Sequence, residues 1–203
     1  MRAVIVYESM SGSTKKVAVA IAEGLADCAE VTVVPVTSAD AHILDGADLV
    51  VVGGPTHTHG MSRPGTRKMA GKLARKPGSE VELVPGAVSG PGVREWLASL
   101  GRLEVAGAAF DTRLQGLPAF TGRASKSIGR HLARHGARIA AAPESFLVGG
   151  LTGALAGGEL ERARAWGQRL TRSDCLRVSS GAVRPPDAVH GQQRDGTGPP
   201  WTG

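Results

Sequence analysis

A chain of 203 residues with 41% apolar but only 3% aromatic side chains suits one domain with a tail, its core filled by Ala, Val and Leu. Two cysteines and no Cys-x-x-Cys pair exclude a disulfide framework and a thiolate metal or redox site. The formal charge of +6 is uneven, with three basic and seven acidic residues over 1–62, then six basic residues and no acid over 63–76.

The start, Met-Arg-Ala-Val-Ile-Val-Tyr-Glu, lacks the longer apolar run and small-residue cleavage site of a signal peptide. No run nears the ~18 apolar residues of a membrane span. The expected setting is the cytoplasm, with no membrane partner.

Residues 2–7 are an apolar run of the length and Val/Ile content of a strand buried on both faces. A Gly/Ser loop follows. Val17, Ala18, Ile21, Ala22 and Leu25 then recur at helical spacing over 14–27. Glu30–Val36 reads as a second strand. Asp48–Val52 reads as a third, broken by Gly53-Gly54-Pro55. A basic helix is expected over 63–75, with Pro64 in its first turn and Gly78 beyond its end. Residues 81–84 read either as a short strand or as irregular loop. A short helix over Val93–Leu100, a fourth strand over Val105–Phe110 and a long loop over 111–124 come next. A helix over Ser125–Arg134, a fifth strand over Ala137–Ala142 and a final helix over Glu159–Leu170 complete the order. Strands alternating with helices imply a parallel sheet with helices on both faces and right-handed crossovers. From about Ser173, Gly, Pro, Ser and Gln dominate and apolar periodicity ends, so residues 1–172 are read as the domain and 173–203 as a disordered tail.

The strongest motif is Ser9-Met10-Ser11-Gly12-Ser13-Thr14, between the first strand and the first helix. A helix N-terminus leaves backbone N–H groups unpaired and carries partial positive charge, so an anion fits there. Four hydroxyls add neutral donors, and Gly12 lets the backbone approach a ligand. The loop lacks the Gly-Lys-Ser/Thr ending of a Walker A loop and is not Gly-x-Gly-x-x-Gly. Hydroxyls and amides with little charge suit a singly esterified phosphate such as that of FMN. A Ser/Thr-rich helix cap explains the same residues without a ligand.

This loop resembles that of the flavodoxin family, which reads Thr/Ser-x-Thr/Ser-Gly-x-Thr and is matched at every fixed position. Gly53 to Gly60 stand where the family's second flavin loop leaves strand three, and Asp111-Thr112-Arg113 where its third leaves strand four. Pro143-Glu144-Ser145-Phe146 and Gly158-Glu159-Leu160-Glu161-Arg162-Ala163 are similar to the end of bacterial members. The resemblance covers roughly residues 1–170. It implies a doubly wound α/β fold with a five-stranded parallel sheet of order 2-1-3-4-5 and FMN at the carboxyl ends of the strands. The cofactor contacts it implies are Ser9, Met10, Ser11, Gly12, Ser13 and Thr14; Pro55, Thr56, His57, Thr58 and Gly60; and Asp111, Thr112 and Arg113.

A flavin ring needs two apolar or aromatic walls. Flavodoxins commonly use Trp or Tyr there, and this chain has neither in those loops. His57, Met61, Leu114, Leu117 and Phe120 are the available walls. His57 and His59 could contact flavin or protonate a substrate, or simply face solvent; no neighbouring Cys or acid completes a metal site. Asp111 could orient a ring N–H or ribityl hydroxyl, or cap a turn. Arg113 beside the pyrimidine edge would stabilise an anionic reduced ring, or is solvated. Tyr7, Trp96 and Trp166 read as core or support, and His131 and His135 as surface.

Three functions follow. The first is an FMN-dependent redox protein, passing electrons to a partner protein or to a small-molecule acceptor such as a quinone. The second is a flavin-free binding or regulatory module of the same fold, which the missing loop aromatics favour. The third, nucleic-acid binding through residues 63–76, is disfavoured because no aromatics interleave the basic residues. Family members present partners with an acidic rim; the basic run here implies a partner acidic at its docking face.

Overall fold

The structure is a computed structural model that describes residues 1–79, 81–117, 121–149 and 153–180, without the side chains of 41 and 172–180. Its parallel sheet is built from β1 (Arg2–Tyr7), β2 (Glu30–Pro35), β3 (Leu49–His57), β5 (Ala106–Leu114) and β7 (Glu144–Gly149), in the order β2-β1-β3-β5-β7. This is the expected order 2-1-3-4-5. Short strands decorate it: β4 (Gly60–Met61) antiparallel to β3, β6 (Arg138–Ile139) parallel to β5, and β8 (Ala154–Leu155) antiparallel to β7. The helices are α1 (Ser13–Leu25), α2 (Pro64–Ala74), α3 (Val93–Ser99), α4 (Ala124–Arg134) and α5 (Glu159–Ser180).

Alternation along the central strands builds two cores. Ala3, Ile5 and Tyr7 of β1, with Leu49 and Val51 of β3, face α1 and α5; Val4, Val6, Val50 and Val52 face α3 and α4. Burial on both faces explains the unbroken apolar runs. With few aromatics available, Phe110, Phe146 and Trp166 cluster edge to face, ring centroids 6.2–6.4 Å apart. Trp96 is buried in the opposite core.

Gly53-Gly54-Pro55 does not break the third strand, which continues to His57. A Cβ on Gly53 would lie 2.1 Å from the Phe110 ring, so the glycine makes room for core packing. Pro55 is tolerated because β1 pairs only as far as Gly53, leaving one side of β3 open where its missing N–H costs no ladder bond. Likewise Asp111, Thr112 and Arg113 are not loop: β5 runs to Leu114, held by β7 from Phe110 to Leu114 and by β3 as far as Thr112. The fifth strand is not continuous over Ala137–Ala142. It divides into β6 and β7: the Ala140 N–H still donates to the Gly107 carbonyl, and the chain then bulges out through Pro143, which cannot donate to the ladder, before pairing resumes at Glu144. Residues 81–84 are irregular, and α5 extends past Leu170 to Ser180, so the backbone is still helical over 173–180, where the tail was expected to begin. The tail beyond Ser180 lies outside the described residues.

The two C-terminal motifs meet in space. Arg162 on α5 pairs with Glu159 at 2.6 Å and with Glu144 of β7, and its guanidinium lies 4.6 Å from the Phe146 ring centroid.

Helices α1 and α5 touch backbone to backbone. A Cβ on Gly24 would lie 2.1 Å from the Arg164 carbonyl oxygen, and one on Gly167 would lie 2.4 Å from that of Ile21. An exposed helical Gly→Ala gains about 1 kcal/mol in propensity. Here overpacking against backbone wins, and Gly24→Ala is expected to lower stability by about 1–3 kcal/mol in a urea titration.

Candidate functional site

The Ser9–Thr14 loop leaves β1 at the point where the sheet order reverses, β2 lying on one side of β1 and β3 on the other. Gly12 has φ 93°, a left-handed conformation that suits glycine, and its N–H donates to Ser9 Oγ at 3.1 Å. The first bond of α1 runs from the Lys16 N–H to the Gly12 carbonyl. The amides of Ser13, Thr14 and Lys15 therefore have no acceptor among the described residues. A Cβ on Gly12 would meet nothing within 4 Å, so the space before these amides is open. Such a cradle can accept an anion.

The loop hydroxyls are mostly committed inward. Ser13 Oγ donates to the Gly153 carbonyl at 2.5 Å, and Thr14 Oγ1 lies 2.8 Å from Thr112 Oγ1 of β5. Ser9 already accepts from Gly12. This leaves the backbone amides, with Ser11, to face a ligand.

A cleft of about 560 Å³ opens beside the cradle, lined by Met10, Ser11, His57 and Gly153 and by the aliphatic wall of Ala70, Leu73, Val81 and Leu83. Its size fits an organic cofactor. The walls come from α2 and the irregular segment after it, so aliphatic groups stand where aromatic loop residues were sought. Only the Ala70, Leu73, Ala74 spacing hinted at this. Met61 is turned into the core and 3% exposed, which removes it as a ring wall. Leu114 and Leu117 are exposed; Phe120 lies outside the described residues.

The second loop is a tight hairpin. Thr56 pairs with Met61 and His57 with Gly60, while Thr58 and His59 turn the chain with φ 44° and 74°. Left-handed Thr is strained, and close contact holds the turn: a Cβ on Gly122 would lie 2.1 Å from His59 Cα. His57 is half-buried and His59 exposed, and no group of three or more His, Cys, Asp or Glu is placed to hold a metal among the described residues.

Asp111 is fully buried and acts as a cap. Its Oδ2 accepts from the Ser125 N–H at 2.7 Å and from Thr56 Oγ1 at 3.2 Å, and Thr56 Oγ1 accepts from the Ala124 N–H at 2.9 Å. These residues fix the N-terminus of α4 against the ends of β3 and β5. Arg113 Nη1 donates to the Leu114 and Gly116 carbonyls and to Thr121 Oγ1, pinning its own loop.

A buried network behind the site has no counterpart in the sequence reading. Glu8, at the end of β1, accepts from Ser62 Oγ and from the Val93 N–H at 2.9 Å. Arg67 of α2, 3% exposed, donates to Ser62 Oγ and to Glu95 Oε2, each at 3.0 Å. Arg67 therefore does not belong to the exposed basic face. The acid directly after β1 was the available signal.

Burial holds the His57 imidazole below its ordinary pKa; Glu8 opposes that shift and Arg67 adds to it. The folded ring thus binds protons less readily than the unfolded one. Its contribution to stability is present above the unfolded value of 6.5 and is lost as pH falls below it through the lower folded value. His57→Gln is expected to flatten the stability profile between about pH 5 and 7, read from urea midpoints.

Cys28, just past α1, is not a free thiol. Among the described residues no helix is long and apolar enough to cross a membrane.

Comparison with known proteins agrees with this geometry. The family described as "Flavodoxin domain" matches residues 4–64, from β1 through the cradle and second loop to the start of α2. Oxidised flavodoxin 1 of Bacillus cereus is 18% identical, covering 84% of this chain and 97% of its own, with a TM-score of 0.58. A flavodoxin of Streptococcus pneumoniae is 20% identical over 85% and 99%, with a TM-score of 0.57. An archaeal flavodoxin is 19% identical over 85% and 98%, with a TM-score of 0.56. No curated protein matches the sequence. The chain thus has a flavodoxin-like fold over most of its length, with its sequence likeness to the flavodoxin domain lying at the cradle end.

Proposed function

We propose that this chain is an FMN-binding redox protein that passes electrons to a partner protein or reduces a small acceptor such as a quinone. The observation that carries this reading is the open cradle at Gly12, where the amides of Ser13, Thr14 and Lys15 await an anion at the switch point of the sheet. A singly esterified phosphate fits amides and one free hydroxyl better than the multiply charged phosphates that a Walker lysine serves. The flavin would supply the redox chemistry; this chain would hold it, orient it and exclude water.

In this reading the amides of Ser13, Thr14 and Lys15 and the Ser11 hydroxyl bind the phosphate, Gly12 leaves room for it, and Met10 and His57 line the path to the ring. Asp111, Thr112 and Thr56 support the strand ends from behind, and Arg113 shapes the third loop. His57, neutral near pH 7 and in the cleft wall, is placed to hydrogen-bond a ring or an acceptor. The functional unit includes α5, and its setting is the cytoplasm.

The test is anaerobic reduction of protein reconstituted with FMN. Reversible bleaching of the flavin band, with reoxidation by a one-electron acceptor protein or a quinone, supports the redox role. Bound flavin that neither acceptor reoxidises would leave a binding module instead.

A further inference from the structure

Helix α2 buries only Arg67 and Gly71; a Cβ on Gly71 would lie 2.9 Å from Val88. Its outward face carries Met69, 59% exposed, and Leu73, 51% exposed. Arg63 precedes the helix, Lys68 and Lys72 stand one turn apart on it, and Arg75 and Lys76 follow its end, all exposed. None of these five cations has an acidic partner among the described ion pairs, and no acid lies between Arg63 and Ser79. A second cleft of about 530 Å³ runs along this face, lined by His57, Arg63, Thr66, Met69 and Leu73. His57, Leu73 and Lys76 also line the first cleft.

We propose that the exposed face of α2, with Met69 and Leu73 flanked by Arg63, Lys68, Lys72 and Lys76, docks an acidic protein that exchanges electrons with this chain. Only the nature of the partner rests on the proposed redox role; the surface itself does not. Charge complementarity selects an acidic surface and speeds encounter. Two exposed apolar side chains, bordered by Lys68 and Lys72 along one side and by cations beyond both helix ends, give the usual anatomy of a protein interface, apolar within and polar at the rim. A phosphate backbone would leave that centre unused, and stacking on bases needs aromatics that α2 lacks. A partner seated there meets the outer side of His57 and Leu73, whose inner side lines the cofactor cleft. Electron exchange would then cross one layer of side chains.

The experiment uses the full chain and an acidic [2Fe–2S] ferredoxin as probe, with binding followed calorimetrically at several salt concentrations. Duplex DNA and phosphatidylserine vesicles are the other arms. The parent is expected to bind the ferredoxin, weakening as salt rises. Lys68→Glu with Lys72→Glu should weaken binding tenfold or more at low salt. Met69→Gln should weaken it with an unchanged salt slope. FMN affinity of the lysine variant should match the parent, since neither lysine lines the first cleft. No binding to the ferredoxin, equal binding by parent and lysine variant, or tighter binding to DNA or vesicles would each overturn the proposal. Docking without any FMN binding would leave the docking surface standing and remove the electron exchange together with the redox reading.

Discussion

Replacing Gly12 by valine is expected to abolish any preference for FMN over riboflavin. Gly12 has φ 93°, and a side chain there adopts a left-handed backbone at a cost of about 1–2 kcal/mol. Beyond its chain neighbours the added Cβ meets no atom within 4 Å, so the valine projects into open space at the head of α1 rather than into the core. Folding should survive, with a modest loss of stability. Hydrogen bonds to a charged group contribute about 1.5–3 kcal/mol each, so blocking even one weakens FMN binding by roughly tenfold to a hundredfold. Riboflavin has no phosphate and should bind both proteins alike. The measurement is quenching of flavin fluorescence. An FMN affinity unchanged in Gly12→Val would place the phosphate elsewhere.

Truncating Arg67 should have the largest effect on stability. Its guanidinium is almost wholly buried, and it joins α2 to Ser62 and Glu95, while Ser62 in turn binds Glu8. Arg67→Ala would leave Glu95 without its cation and open a void beside the Glu8 carboxylate. Breaking a buried pair from one side costs about 3–5 kcal/mol; Glu95 is partly exposed, so the low end applies. At about 3 kcal/mol the melting temperature of a domain of this size falls by roughly 6–12 °C. Lys68→Ala on the same helix, at an exposed site, should change stability by no more than about 0.5 kcal/mol. Equal melting temperatures for the two variants would show that the network contributes nothing.

What was legible in the sequence was local. The cradle depends on a strand, a turn and a helix start within six residues, and Ser9 to Thr14 announce all three. The two-sided apolar runs of β1 and β3 gave the parallel sheet. What was not legible depended on distant partners. Asp111-Thr112-Arg113 looks like loop because it is polar, yet β7, some thirty residues on, pairs with it. Gly53-Gly54-Pro55 carries every local sign of a break, and only the Phe110 ring gives Gly53 its reason. Arg67 is indistinguishable from its basic neighbours until Glu95 and Ser62 are placed beside it. The cleft beside the cradle was hidden for the same reason, since its wall is built from aliphatic residues of α2 and of the irregular segment after it rather than from loop aromatics.

The central claim is that the open amides of the cradle hold the phosphate of a flavin. Titrating the purified parent protein with FMN and with riboflavin, under identical conditions, tests it most directly. The account predicts that FMN binds tenfold or more tightly than riboflavin, because only FMN reaches the cradle amides. Equal affinity for the two, or no binding of either, would contradict it.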